Sequence, residues 1–178
     1  MPPATTFQYP TFYNFPPFFT IQPTEATKAK QLTLWRSLLL DYHTVTKTKL
    51  LVLHDCALFT NSTINRSLDE AAKMIVVEDF ITFGLGEWDD PMTKSIVKIF
   101  WRNPTQLASD IYQWASLNAF IGTVCTLYEI HSGEDSEGMS FEGADEELIR
   151  RALGVLEDRG QCKIFKGETS EEDGIKFF

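Results

Sequence analysis

No apolar run in the 178-residue chain approaches the ~18 residues a membrane-spanning helix needs. The amino terminus has no basic stretch followed by an apolar segment and a small-residue cleavage site, which predicts a chain without a secretory signal in a cytoplasmic setting. Cysteine is scarce. Cys56, Cys125 and Cys162 are widely spaced, form no CxxC pair and are odd in number, so they predict buried thiols rather than a disulfide framework. In that setting the N-x-S/T triplets at Asn61 and Asn65 are chance matches. His43, His54 and His131 stand at no metal-ligand spacing, and Glu134, Asp135 and Glu137 do not follow the order of a calcium loop. Phosphate-binding glycine loops, nucleophile elbows and zinc-protease helices are all missing. The reading is therefore non-catalytic, with no cofactor and no metal. Basic charge is short as well: 16 Lys and Arg against 25 Asp and Glu leave a net charge of −9, which opposes nucleic acid and anionic lipid alike.

Aromatic residues are plentiful, and they gather near the start in "YNFPPFFTIQP", Tyr13 to Pro23. Proline fixes its own φ near −65°, donates no N–H and pushes the residue before it toward extended geometry. The segment Phe15 to Phe19 is thus expected to be a stiff, extended rod carrying phenylalanine rings. Such rings must pack either on the chain's own body or in a groove on a partner.

Downstream, Leu32, Trp35, Leu38, Leu39 and Tyr42 recur at helical spacing. A second helix carries Leu68, Ala71, Ala72, Ile75, Val76, Phe80 and Phe83 on one face, with Ser67 and Glu70 as a capping box and Gly84 as its stop. Between the two, "TVTKTKLLVLHDCALF" suits strand or helix equally. Glu87–Trp88, a turn at Asp90–Pro91 and the β-rich run Ser95 to Trp101 read as a hairpin. The order then repeats. A helix opened by Pro104 presents Leu107, Ile111, Trp114 and Leu117, and "TVCTLYEIHSGEDSEG" is a short strand-like or helical piece before an acidic loop. A helix with Leu148, Ala152, Val155 and Leu156 inward closes at Gly160, and two short strands, Cys162 to Lys166 and Ile175 to Phe178, finish the chain. The fold class expected is α+β, mostly helical, with two tandem winged-helix domains. Their bounds are 25–102 and 103–178, after an extended docking segment at 1–24.

A winged helix often reads DNA, so a DNA-binding transcriptional regulator is the alternative function. It needs a basic reading helix. Leu68 to Gly84 holds four acids against one lysine, and Asp145 to Arg159 five acids against three arginines. Direct nucleic-acid contact is therefore not expected.

The segments "FPPFFTIQP", "KQLTLWRSLLLDY", "EW" before a strand ending in "WRNP", "IYQWA", "CTLYEIHSGED" and the terminal "GIKFF" occur in this order across nearly the whole chain. Together they resemble the family of the smallest subunit of ESCRT-II, the endosomal sorting complex required for transport. The resemblance implies a Y-shaped complex in which two copies of this chain join one copy each of two larger winged-helix subunits. It implies that a PPF(F/Y)-type segment docks into a groove on each larger subunit, which falls here on Pro16, Pro17, Phe18 and Phe19, with Phe15 beside them. It further implies that the second domain recruits and activates the ESCRT-III subunit that nucleates filaments. The candidate face is the helix bearing Glu146, Glu147, Arg150 and Arg151 with the wing residues Lys163, Phe165 and Lys176. Membrane contact, at the endosome, is then indirect. One departure stands out: the resemblance implies, for some family members, an arginine near the end of the first domain's last helix that pairs with an acidic partner residue, whereas "VEDFITFGLG" has no basic group.

Overall fold

The long apolar stripe of the first predicted helix needs a partner surface, and the chain supplies one from both sides of it in sequence. The computed structural model describes residues 6–178. It divides the chain between Trp101 and Arg102 into two compact units.

In the first unit, α1 (Glu25–Thr46) buries Trp35, Leu38 and Leu39, then ends where Lys47 turns left-handed at φ 54°. The ambiguous stretch after it resolves as strand β1 (Leu50–Val52), a 3₁₀ turn at Ala57–Phe59 and a minimal hairpin, β2 (Thr60–Asn61) with β3 (Arg66–Ser67). Helix α2 (Glu70–Thr82) follows, and its cap differs from the expected box. Asp69 is the capping residue, its carboxylate accepting from the Ala72 N–H at 2.7 Å, which leaves Ser67 in β3. Strands β4 (Gly86–Trp88) and β5 (Ile96–Ile99) form the wing, and the antiparallel sheet runs β1–β5–β4. The core joins Trp35, Leu38, Phe59, Val76, Phe80 and Val97 with Tyr13, Phe18 and Phe19 from the amino-terminal segment.

The second unit repeats that order. Helix α3 (Pro104–Leu117) is capped by Asn103, whose side chain accepts from the Thr105 N–H at 2.8 Å. The piece left open between strand and helix is both: β6 (Val124–Thr126) leads into α4 (Leu127–Ser132), which starts at a capping box of Thr126 and Glu129. Helix α5 (Glu146–Asp158) precedes β7 (Cys162–Phe165) and β8 (Gly174–Phe177), and this sheet runs β6–β8–β7. In each sheet the last strand sits in the middle, between the strand that follows the first helix and the wing's other arm. That shared topology is the winged helix, twice, in an α+β chain that is mostly helical. Leu117, expected inward, is 78% exposed because α3 ends there, and Trp114 takes the core position against Phe120 and Phe141.

Candidate functional site

Proline's constraints act differently here from the extended rod expected of residues 15–19. A missing N–H costs nothing in a first helical turn and φ near −65° suits one, so Pro16 opens a 3₁₀ turn, Pro16–Phe19, behind another at Thr11–Asn14. Their i+3 bonds run from the N–H of Phe15 to the Phe12 carbonyl (3.1 Å), of Phe18 to Phe15 (3.0 Å) and of Thr20 to Pro17 (3.2 Å). The segment is a folded strap. Residues 1–5 of the expected docking segment lie outside the described residues.

Phe18 and Phe19, expected to seat on a partner, lie inside the chain's own core at 4% and 3% exposure. Phe18 stacks on Trp35 with centroids 4.2 Å apart, and Phe19 meets the same indole edge-on at 5.6 Å. Phe15, Pro16 and Pro17 are exposed, Phe15 at 59%.

The strap's backbone polar groups, cut off from regular structure, are collected by side chains. Gln31 in α1 is buried, and its amide nitrogen lies 3.0 Å from the Phe18 carbonyl and 2.8 Å from that of Thr20. Its amide oxygen accepts from the Gln22 N–H at 3.1 Å. The Trp35 indole N–H donates to the Phe18 carbonyl at 3.1 Å. Asn61, also buried, donates to the Tyr13 carbonyl at 2.8 Å, so this side chain of an N-x-S/T triplet is a fastener of the strap. Tyr13 places its hydroxyl 3.0 Å from the carbonyl oxygens of Leu58 and Thr60, and burial holds its phenol well above the usual range, neutral and donating. Between strap and helix lies an open apolar groove of about 410 Å³, lined by Phe12, Phe15, Pro17 and Leu34 among others.

The far end of α2 has no arginine of its own, but Arg36 of α1 reaches over it. Its guanidinium lies 3.3 Å above the Phe83 ring, and its Nε is 3.4 Å from the Asp79 carboxylate, whose pKa burial raises against the pull of that charge. Phe83, expected inward, instead stands 54% exposed under this cation.

In the second unit the expected contact residues separate into two groups. Arg150 is committed internally: it bonds Glu146 (2.8 Å), Asp173 (2.7 Å) and the Ser170 carbonyl (3.0 Å). Asp173 also accepts from the Gly167 N–H at 2.8 Å, and these two donors hold its carboxyl below the usual range. Arg150 and Glu146, both partly exposed, therefore shape the wing loop through the buried Asp173. Arg151 and Glu147 pair along the helix at 3.2 Å. Lys163, Phe165 and Lys176 do come together, on the outer face of the sheet. The register sets Val124, Lys176 and Lys163 in one cross-strand row and Thr126, Gly174 and Phe165 in the next. A Cβ at Gly174 would stand 3.2 Å from Val124, so the glycine leaves a shallow floor between Val124 and Phe165. Val124 and Phe178 belong to this face and were not foreseen. The odd-numbered residues of "GIKFF" turn inward to the core, and the even-numbered ones outward.

The three thiols are reduced, and burial pushes Cys56 and Cys162 up to about 11 and Cys125 to about 12. Among the described residues no cluster of metal-ligating side chains occurs, and no helix is long and apolar enough to cross a membrane.

A family model for an ESCRT-II complex subunit matches residues 12–145. Vacuolar protein-sorting-associated protein 25 of Xenopus laevis is 40% identical over 175 residues, covering 97% of this chain and 99% of the relative. Its namesake in Arabidopsis thaliana is 37% identical over 172 residues, covering 96% of each. A crystal structure of subunit VPS25 of the endosomal trafficking complex ESCRT-II is similar with a TM-score of 0.68 and 26% identity, covering 95% of this chain and 98% of that one. With the family model and these full-length similarities in agreement, the chain belongs to the ESCRT-II complex subunit family.

Proposed function

We propose that the chain is a non-catalytic adaptor of ESCRT-II in endosomal sorting, binding two classes of protein at opposite ends of its sequence. The first unit docks onto the two larger winged-helix subunits, two copies of this chain per complex. The observation that carries this is the division of labour in the strap: Phe18 and Phe19 anchor it inward while Phe15, Pro16 and Pro17 face out. An edge whose backbone is already fixed loses little entropy on docking, and an exposed aromatic ring is the residue type that dominates binding energy at interfaces. The second unit recruits and activates the nucleating ESCRT-III subunit through its outer sheet face, where Lys163 and Lys176 form the cross-strand row beside Phe165. Two copies held on one scaffold raise the local concentration of that subunit into the ~mM range, which favours nucleation. The chain works in the cytoplasm and meets the endosomal membrane through its larger partners.

Phe15→Asp tests the first half, because aspartate is favoured at the capping position of the Pro16–Phe19 turn and the fold is kept. Titrated against the two larger subunits, the variant is expected to bind at least ~10-fold more weakly. Unchanged affinity would move the docking surface elsewhere on the unit. Phe165→Ala is expected to weaken capture of the nucleating ESCRT-III subunit and leave ESCRT-II assembly intact.

A further inference from the structure

The outward edge of the strap is one wall of something larger. Phe12, Phe15 and Pro17 line it from the strap, and Thr27, Lys30 and Leu34, at helical spacing, line it from one face of α1. The groove of about 410 Å³ falls within the ~300–1,000 Å³ of sites that bury a ligand. Phe15 and Leu34, both exposed, leave apolar surface in contact with water on each side of it.

Charge at its rim specifies the occupant. Lys30 is the charged residue among those lining it, and Thr27 stands in the first turn of α1. That turn has no side-chain cap: Thr24 holds the capping position without bonding any N–H. Uncapped N–H groups at the start of a 22-residue helix carry the positive end of its dipole. Glu25, the acid of this turn, lies two residues before Thr27 and so ~200° round the helix, away from the groove. On a unit that is nearly neutral, with 9 Lys and Arg against 10 Asp and Glu in residues 1–101, this is an apolar slot with a positive rim.

We propose that the groove receives a large apolar side chain of a partner protein that carries an acidic residue beside it. This rests on the docking function proposed above and reverses one part of it: the strap is a receptor as well as a ligand. The apolar side chain fills the space between Phe15, Pro17 and Leu34. Its acidic neighbour meets Lys30 and the first turn of α1.

The test is a titration of the full-length chain against the two larger ESCRT-II subunits, with folding checked by circular dichroism. Leu34→Arg and Thr27→Trp block the groove from opposite ends at exposed positions, so loss of fold in one leaves the other informative. Each is expected to weaken binding about tenfold or more. Lys30→Glu is expected to weaken it about threefold at low salt and much less at ~0.5 M salt, where exposed charges are screened. If wild type binds and Phe15→Asp disrupts binding while both blocked variants bind as wild type does, the groove is empty and this inference fails, with the docking function intact. If wild type itself does not bind, the docking function fails and this inference with it. A chain that dimerises alone, and is dispersed by Leu34→Arg, has a second copy as occupant, which also overturns the proposal.

Discussion

Phe18 shows how a single side chain sets the role of its neighbours. Stacked on Trp35, with its carbonyl held by the indole and by Gln31, it is as much core as any residue of the helices. Phe18→Ala is therefore expected to cost ~3–5 kcal/mol of stability, read as a lowered denaturation midpoint of the first unit. A surface ring would cost far less. His43 makes a second prediction. Burial depresses its pKa from 6.5 to about 4, while its Nδ1 lies 2.7 Å from the Thr48 hydroxyl. The unfolded chain thus binds a proton that the folded one refuses. The contribution of neutral His43 is complete above pH 6.5 and is lost as pH falls from there toward 4, at roughly 1.4 kcal/mol per pH unit. Melting temperature should drop over that window, and His43→Gln should flatten the slope. If the two chains melt in parallel from pH 7 to 4, His43 is not the group responsible. At this scale the sequence was partly legible. Gln31 sits four residues before Trp35 on the buried stripe of α1, and a polar residue in such a place must have hydrogen-bond partners. What those partners are depends on where the strap's carbonyls point, and no local pattern encodes that.

Among the elements, α1, α2, α3 and α5 were readable because each carries an apolar stripe several turns long, whereas α4 has only six residues. The two wing hairpins were legible as well, but the strands outside them were not. β1 is three residues and β6 is three, too brief for alternation to stand out, and each exists because the last strand of its unit has a free edge to pair with. The strap was misread for a related reason: the constraints of Pro16 and Pro17 permit both an extended rod and a 3₁₀ turn. Packing against Trp35 decided between them. Gln31→Leu removes the amide that gathers the strap carbonyls of Pro17, Phe18 and Thr20, and hydrogen exchange should then rise across residues 12–22 while α2 keeps its protection. The wing loop of the second unit is fastened in the same way, by Asp173 to Arg150 and to the Gly167 N–H. Its carboxyl is held below the usual range, so the clip is present above that range and released as acid protonates it. Asp173→Asn is expected to raise exchange in residues 166–172 and leave α5 unchanged. Equal protection in variant and wild type would assign the loop's order to other contacts.

For the whole molecule, a nearly neutral first winged-helix unit, with 9 Lys and Arg against 10 Asp and Glu, and an acidic second one, with 7 against 15, carry different exposed surfaces: an aromatic edge and groove on the first, an apolar sheet face with two lysines beside it on the second. The repeat of helix, short element, helix and hairpin was visible in the sequence, since hydrophobic periodicity reports elements and their order. Which face of each unit meets solvent was visible only in part. Lys163, Phe165 and Lys176 could be picked out from strand alternation, whereas Arg150 could not be told from a surface charge until Asp173 was found beneath it. The adaptor account makes one claim above the others, that the outward edge of the strap is the surface covered when ESCRT-II assembles. Hydroxyl-radical footprinting of the chain, alone and in complex with the two larger subunits, reads that directly. Phe15 is predicted to be reactive in the free chain and protected in the complex, with Phe165 reactive in both until the nucleating ESCRT-III subunit is added. Equal reactivity of Phe15 in the free and assembled chain would contradict the account.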